Sequence, residues 1–178
     1  MKKPMRWLAV VLSAAVLACA GAGAWELLRT APLDDQAALC RSVKQAYGWE
    51  VSQIHAAQED QGVAALLTTA AEEGDQSSQT VMFLLERSWL PGRYRVTGSA
   101  TGTANWGDYR YSDPRRAITV VYGDNREMQA GSYRFAVDGC FYGQEDLGDY
   151  VLGLYVTGPA TDVGAVQWYD AQGNEIDG

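Results

Sequence analysis

Hydrophobic and polar positions change rhythm twice along the chain. From Trp7 to Trp25 there is no alternation, because nineteen residues pass without a charge. From Ala37 to Tyr47 apolar positions recur three and four apart, which predicts an amphipathic helix with Ala37, Cys40, Val43 and Tyr47 as its buried stripe. Arg41, Lys44 and Gln45 lie off that stripe. Leu33-Asp34-Asp35 puts acidic residues where capping and the helix dipole favour them. Gly48 stands where a left-handed residue ends a helix.

Beyond Gly48 the period falls to two, and turn residues punctuate it. The predicted strands are 49–56, 63–70, 80–88, 93–100, 117–122, 132–137, 149–156 and 165–170. Asp60-Gln61-Gly62, Pro91-Gly92 and Asp138-Gly139 supply turns, the last with the signature of a two-residue hairpin. Tyr94 and Val96 alternate with arginines, as do Tyr133 and Phe135, so those strands are half-exposed. "VMFLL" (81–85) and "ITVVY" (118–122) are continuous and predict strands covered on both faces. With no helical pattern between the strands, the sheet is antiparallel. The expectation is an α+β domain: one N-terminal helix on a curved, mainly antiparallel sheet of about seven to nine strands. An all-β sandwich with one helix is the alternative.

The uncharged stretch sets the domain plan and the compartment. Lys2, Lys3 and Arg6 precede it and Glu26 follows, the asymmetry that keeps an N-terminus inside and sends the rest across a membrane. Residues 1–25 are read as a signal or membrane-anchor segment, 26–32 as a short tether and 33–178 as one extracytoplasmic domain. Trp7–Trp25 is just long enough to span a bilayer, which favours a retained anchor. Ala22-Gly23-Ala24 also reads as a signal-cleavage site, and Val16-Leu17-Ala18-Cys19 as a lipobox in which Cys19 would be lipidated. Secreted protein and lipoprotein are therefore the alternatives to a single anchor in the cytoplasmic membrane.

Charge narrows the partners. Without Lys2, Lys3 and Arg6, eleven basic residues face 22 acidic ones, a balance that disfavours nucleic acid. The expected partners are an unidentified protein or peptide, or an envelope glycan, with the membrane engaged through the N-terminal segment.

Common catalytic sets are missing. His55 is the only histidine, no G-x-S-x-G elbow accompanies it, and there is neither a P-loop nor a G-x-G-x-x-G stretch. One histidine and scattered cysteines cannot build a standard zinc site, so no metal and no cofactor is expected. Glu145, Asp146 and Asp149 are carboxylates of the kind that hold calcium or flank a glycosidic bond, but they lack EF-hand spacing and suit a solvated loop.

Two features remain. "WGDYRYSDPRR" (106–116) reads as a loop crowding Trp106, Tyr109, Arg110, Tyr111, Arg115 and Arg116. Aromatic faces and guanidinium forks of this kind hold sugars, phosphates and carboxylates. The same residues also suit a strand end whose arginines pair with nearby acids. Cys40 on the helix stripe and Cys140 after the Asp-Gly turn both point inward on this reading, and an oxidising compartment would allow a disulfide between them. The functional expectation is a membrane-tethered extracytoplasmic binding or regulatory domain. A carboxylate-dependent envelope hydrolase and a structural subunit of an envelope complex are the alternatives.

Overall fold

The computed structural model describes residues 4–75, 77–102 and 106–176 and, within them, all side chains but those of 4–12, 14 and 127. In chain order the elements are α1 (Pro4–Arg29), β1 (Thr30–Ala31), α2 (Gln36–Tyr47), β2 (Trp49–Asp60), β3 (Val63–Glu72), β4 (Gln79–Arg87), β5 (Tyr94–Thr101), β6 (Trp106–Ser112), β7 (Ala117–Asp124), α3 (Asn125–Met128), β8 (Ser132–Val137), β9 (Cys140–Glu145), β10 (Tyr150–Thr157), β11 (Gln167–Tyr169) and β12 (Glu175–Ile176).

The chain is rich in antiparallel β-structure, but not as one sheet. The described strands form three: β1-β5-β4-β3-β2, β10-β7-β6 and β12-β11-β8-β9. The reason lies in the two continuous apolar runs. Val81, Phe83 and Leu85 of β4 face α2 in one core with Leu39, Val43, Leu66 and Tyr94. Met82 and Leu84, on its other face, meet Ile118, Val120 and Tyr122 of β7 in a second core. Val121, on the far face of β7, joins Tyr133, Phe135 and Trp168 of the third sheet in a third. A strand that buries both faces needs a layer on each side. Two such strands make a stack: α2, first sheet, second sheet, third sheet. Helix-on-sheet and sandwich are both present in it.

The first sheet is curled. Register shifts interrupt β2 between Val51 and Gln53 and again between Ile54 and Ala56, and β4–β5 slip beside Leu84. Bulges bend a strand and raise its twist. The bend brings β2 alongside β10, and side chains close the seam between them. Gln58 Oε1 accepts from Leu154 N at 2.8 Å, Asp60 Oδ2 from Val156 N at 3.3 Å, and Gln61 Nε2 donates to Val156 O at 2.9 Å.

The predicted helix keeps its ends. Asp35 caps it by accepting from Ala38 N at 2.9 Å, and Gly48 closes it at φ 76°. Its buried face is rotated, however, to Leu39, Ser42 and Val43, leaving Ala37 and Tyr47 exposed and Cys40 half-buried. Leu39 offers more apolar area than Ala37, and burial follows area.

The reading of Trp7–Trp25 rests partly on side chains outside those described. Among the described residues no helix is long and apolar enough to cross a membrane. The segment 26–32 is built into the fold. Glu26, at the end of α1, is almost wholly buried and pairs with Arg95, and Ser88 Oγ donates to its Oε1 at 2.5 Å. These contacts hold its carboxyl below the ordinary range against the cost of burial, the Ser88 hydroxyl first. Arg93 donates from Nε to Thr30 Oγ1 at 2.9 Å and to the carbonyls of Leu27 and Thr30. β1 then pairs with β5 at the sheet edge.

Candidate functional site

The cluster expected as a loop at 106–116 is mostly strand. β6 pairs with β7 from Trp106↔Gly123 to Ser112↔Ala117, and the period of two divides the residues between faces. Trp106 turns to the third sheet, edge-on to Trp168 with centroids 5.5 Å apart. Tyr109 turns to the first sheet, where burial raises its phenol pKa. Arg110 pairs with Asp108 at 2.5 Å and donates to Val163 O at 3.2 Å. Arg116 pairs with Glu86 at 2.6 Å. Tyr111 and Arg115 are exposed, and the amides of Arg115 and Arg116 bind the Asp113 carboxylate that shapes the turn. The arrangement shares out the six residues between two faces and a turn.

Cys40 and Cys140, the pair read as a possible disulfide, are free thiols in this structure. Val137 and Cys140 are cross-strand partners, as the Asp-Gly turn requires. Asp138 and Gly139 take φ 46° and 80°, the left-handed pair of a tight hairpin. Only Val137 is covered. It bridges to Val163, in a loop that Asp138 holds by accepting from Thr161 Oγ1 and Asp162 N at 2.8 and 2.9 Å. Cys140 starts an edge strand beyond that cover and is exposed, whereas Cys40 packs against the first sheet two layers away. Cys19, in α1, is an exposed free thiol.

His55 sits at a bulge of β2. Its ring stacks on Tyr150, with centroids 3.7 Å apart and planes 11° from parallel, and its Nε2 lies 2.7 Å from Thr69 Oγ1. Arg126, paired with Asp124, lies 5.0 Å from the centroid of Tyr150. Burial pushes the imidazole pKa down. This stack closes one end of the β2–β10 seam, and its atoms are occupied with one another.

The concave surface lies elsewhere, on the outer face of the third sheet. β9 is an edge strand that the sequence reading omitted, although a two-residue hairpin after Val137 demands a return strand. All of β9 is exposed except Tyr142, which turns inward against Phe135, and Phe141, Gly143 and Glu145 share the outer face. Phe141 is 83% exposed and stands between two recesses. One, of about 660 Å³, has a floor of Ala136, Gly164 and Ala165 and is bounded by Gln167 and Tyr169. The other, of about 310 Å³, lies over Gly143 beside Glu145. Gly143 keeps that floor open and could not be otherwise: a Cβ there would strike the carbonyl of Tyr133 and come within 3.2 Å of Arg134 Cγ. Arg134 lines both recesses, reaching Glu145 Oε1 at 3.3 Å with its guanidinium over the Tyr169 ring at 6.0 Å. A third, wider hollow adjoins them and takes in Asp146, Asp149 and Asp170. Among the described residues no group of three His, Cys, Asp or Glu side chains is placed to hold a metal ion.

Beneath this face, Tyr133 anchors the third sheet to the second. It is fully buried, its hydroxyl 2.8 Å from that of Tyr155 and its ring 5.3 Å from Trp168. The site thus combines an exposed aromatic ridge, small-floored recesses and fixed polar groups on a rigid sheet. Such a set can stack a flat apolar face and hydrogen-bond its rim.

Compared with protein-family models, with curated proteins and with solved structures, the chain matches none.

Proposed function

We propose that the chain is a membrane-tethered extracytoplasmic binding domain, and that it holds an envelope glycan on the outer face of its third sheet. The observation that carries this reading is Phe141, 83% exposed between two recesses whose rims are Arg134, Glu145, Gln167 and Tyr169. A large apolar ring set among polar side chains stacks on the C–H face of a sugar while the rim meets its hydroxyls. The tether is the uncharged stretch Trp7–Trp25 behind its basic flank. The third sheet lies at the end of the stack away from α2 and the first sheet.

A protein or peptide adding itself as a strand beside β9 fits less well. The carbonyl of Gly143, midway along that strand, already accepts the Tyr155 hydroxyl at 3.1 Å.

The test is co-sedimentation of the full chain, in detergent, with insoluble cell-wall glycan. Phe141→Ala and Arg134→Ala should each empty the pellet at an unchanged melting temperature, and Tyr111→Ala should leave it as before. Undiminished pelleting of both variants would reject this face as the site. Soluble sugar appearing in the supernatant with time would move the reading to the hydrolase alternative, whose carboxylates lie in the adjoining hollow.

A further inference from the structure

The join between the uncharged segment and the domain is rigid, and apolar side chains crowd it. Glu26 is held by Arg95 and Ser88, and the carbonyls of Leu27 in α1 and Thr30 in β1 by Arg93. These contacts fix the end of α1 against the β4–β5 turn, in which Trp89 directly follows Ser88. Trp25 and Trp89 are 59% and 66% exposed, and Leu27 and Leu28 are exposed beside them. Arg29 lies over the Trp25 ring at 4.3 Å. Arg87 and Arg93 flank the turn, while Glu26 and Glu86 are neutralised by Arg95 and Arg116. An otherwise acidic domain therefore carries tryptophan, leucine and unneutralised arginine together at one place, where its N-terminal helix joins it.

Tryptophan and arginine at the end of an apolar helix are the residues that settle at headgroup level. Trp89 has the same chemistry, yet it lies 64 residues beyond Trp25, brought there because its neighbour Ser88 meets Glu26. An aromatic placed by tertiary structure beside a helix end shares the surroundings of that helix end.

We infer that the face formed by the end of α1 and the β4–β5 turn is a membrane-docking surface, with Trp25, Leu28 and Trp89 seated in the bilayer interface and Arg29 and Arg87 among lipid phosphates. The inference rests on the anchored reading given above and deepens it. The domain does not swing on a flexible leash but stands on the bilayer in one orientation. Charge complementarity names the occupant as a lipid surface carrying phosphate, and the apolar segment entering the same face supplies the continuity.

The test uses the full chain with Cys19, Cys40 and Cys140 changed to serine, reconstituted in phosphatidylcholine–phosphatidylglycerol vesicles. A single environment-sensitive fluorophore is attached at Trp89→Cys or, in a second variant, at Phe141→Cys. At 89 the emission should shift to the blue and be quenched by lipids bearing a headgroup-level quencher. At 141 it should do neither. Leu90→Cys, in the same turn, repeats the measurement should Trp89→Cys fail to fold. A label at 89 as aqueous as one at 141, in a chain that resists carbonate extraction, overturns the docking and leaves the anchor standing. Release of the chain by carbonate removes the anchor, and the docking with it.

Discussion

Gly153 offers the sharpest test of how the binding face is supported. It lies in β10 opposite Val121 of β7, buried, with the tip of Tyr133 directly over it. A methyl at this position would overlap the Tyr133 hydroxyl outright and come within 3.1 Å of its Cζ and 3.0 Å of Tyr155 Cε2. Tyr133 cannot swing aside, because it is fully buried against Trp168 and Tyr155. Gly153→Ala therefore overpacks a core, at about 1–3 kcal/mol. It also displaces a buried hydroxyl from its partner, at about 1–3 kcal/mol more. The sum, about 2–6 kcal/mol, is a large part of a domain stability of about 5–15 kcal/mol. For a domain of this size it lowers the melting temperature by about 4–24 °C. Urea unfolding followed by tryptophan fluorescence measures it. Tyr133→Phe deletes the clashing oxygen, so adding it to Gly153→Ala should recover stability although it costs stability alone. A single Gly153→Ala change within about 0.5 kcal/mol of wild type, the range of an ordinary surface substitution, refutes the reasoning. So does a double variant no better than the single one.

Other outcomes follow from the same geometry. Cys140, exposed, should react with a thiol reagent well before Cys40, whose partial burial raises its pKa; non-reducing mass spectrometry should find neither in a disulfide. Arg116→Ala breaks a half-exposed pair with Glu86 and should cost at most about 1 kcal/mol in urea unfolding, without loss of glycan binding. Glu26 and Asp138 have carboxyl pKa values lowered mainly by the hydroxyls of Ser88 and Thr161, so their stabilisation is present at neutral pH and lost as pH falls through and below the ordinary carboxylate range. His55 acts in a higher window: burial lowers its pKa, the unfolded chain takes the proton first, and stability falls as pH drops through the ordinary imidazole range. His55→Gln should flatten that upper part of a pH series of urea midpoints and leave the acid part.

Much of the architecture was legible because it rests on periodicity. The ends of α2 could be read because Asp35 and Gly48 act locally, through one side chain and one backbone conformation. β4 and β7 could be read as doubly buried because each carries an unbroken run, Val81–Leu85 and Ile118–Tyr122, that is apolar but for Thr119. That the two would lie in separate sheets could not, since the bulges that curl β2 and set its edge beside β10 leave no mark on an alternating pattern. The rotation of α2 was missed because helical spacing fits more than one stripe, and the face that wins depends on what it meets. The candidate site hid for a related reason. "CFYGQE" has one exposed phenylalanine and no chemical motif, and its meaning depends on Ala136, Gly164 and Gln167 brought up from other strands. The Trp106–Arg116 segment is dense with recognition residues in the sequence, but a strand's alternation divides them.

The seam between β2 and β10 also dictates an order of assembly. β2, β3, β4 and β5 follow one another as a meander, each pairing with the next. With α2 preceding them, these four strands need only neighbours in sequence, β1 alone reaching across to β5, and such local pairings form fastest. The seam needs Gln58 and Asp60 to find Leu154 and Val156, each 96 residues further on. Until β7 and β10 arrive, the inner face of the first sheet, with Val63, Leu67, Met82 and Leu84, faces solvent. A half-finished chain thus presents a bare apolar trough with an unpaired edge, the surface that invites a neighbouring chain to pair in place of its own C-terminal half. Aggregation during synthesis, more than loss of the finished fold, should be the weak point of this protein, and truncations that end before Tyr150 should be the ones that precipitate.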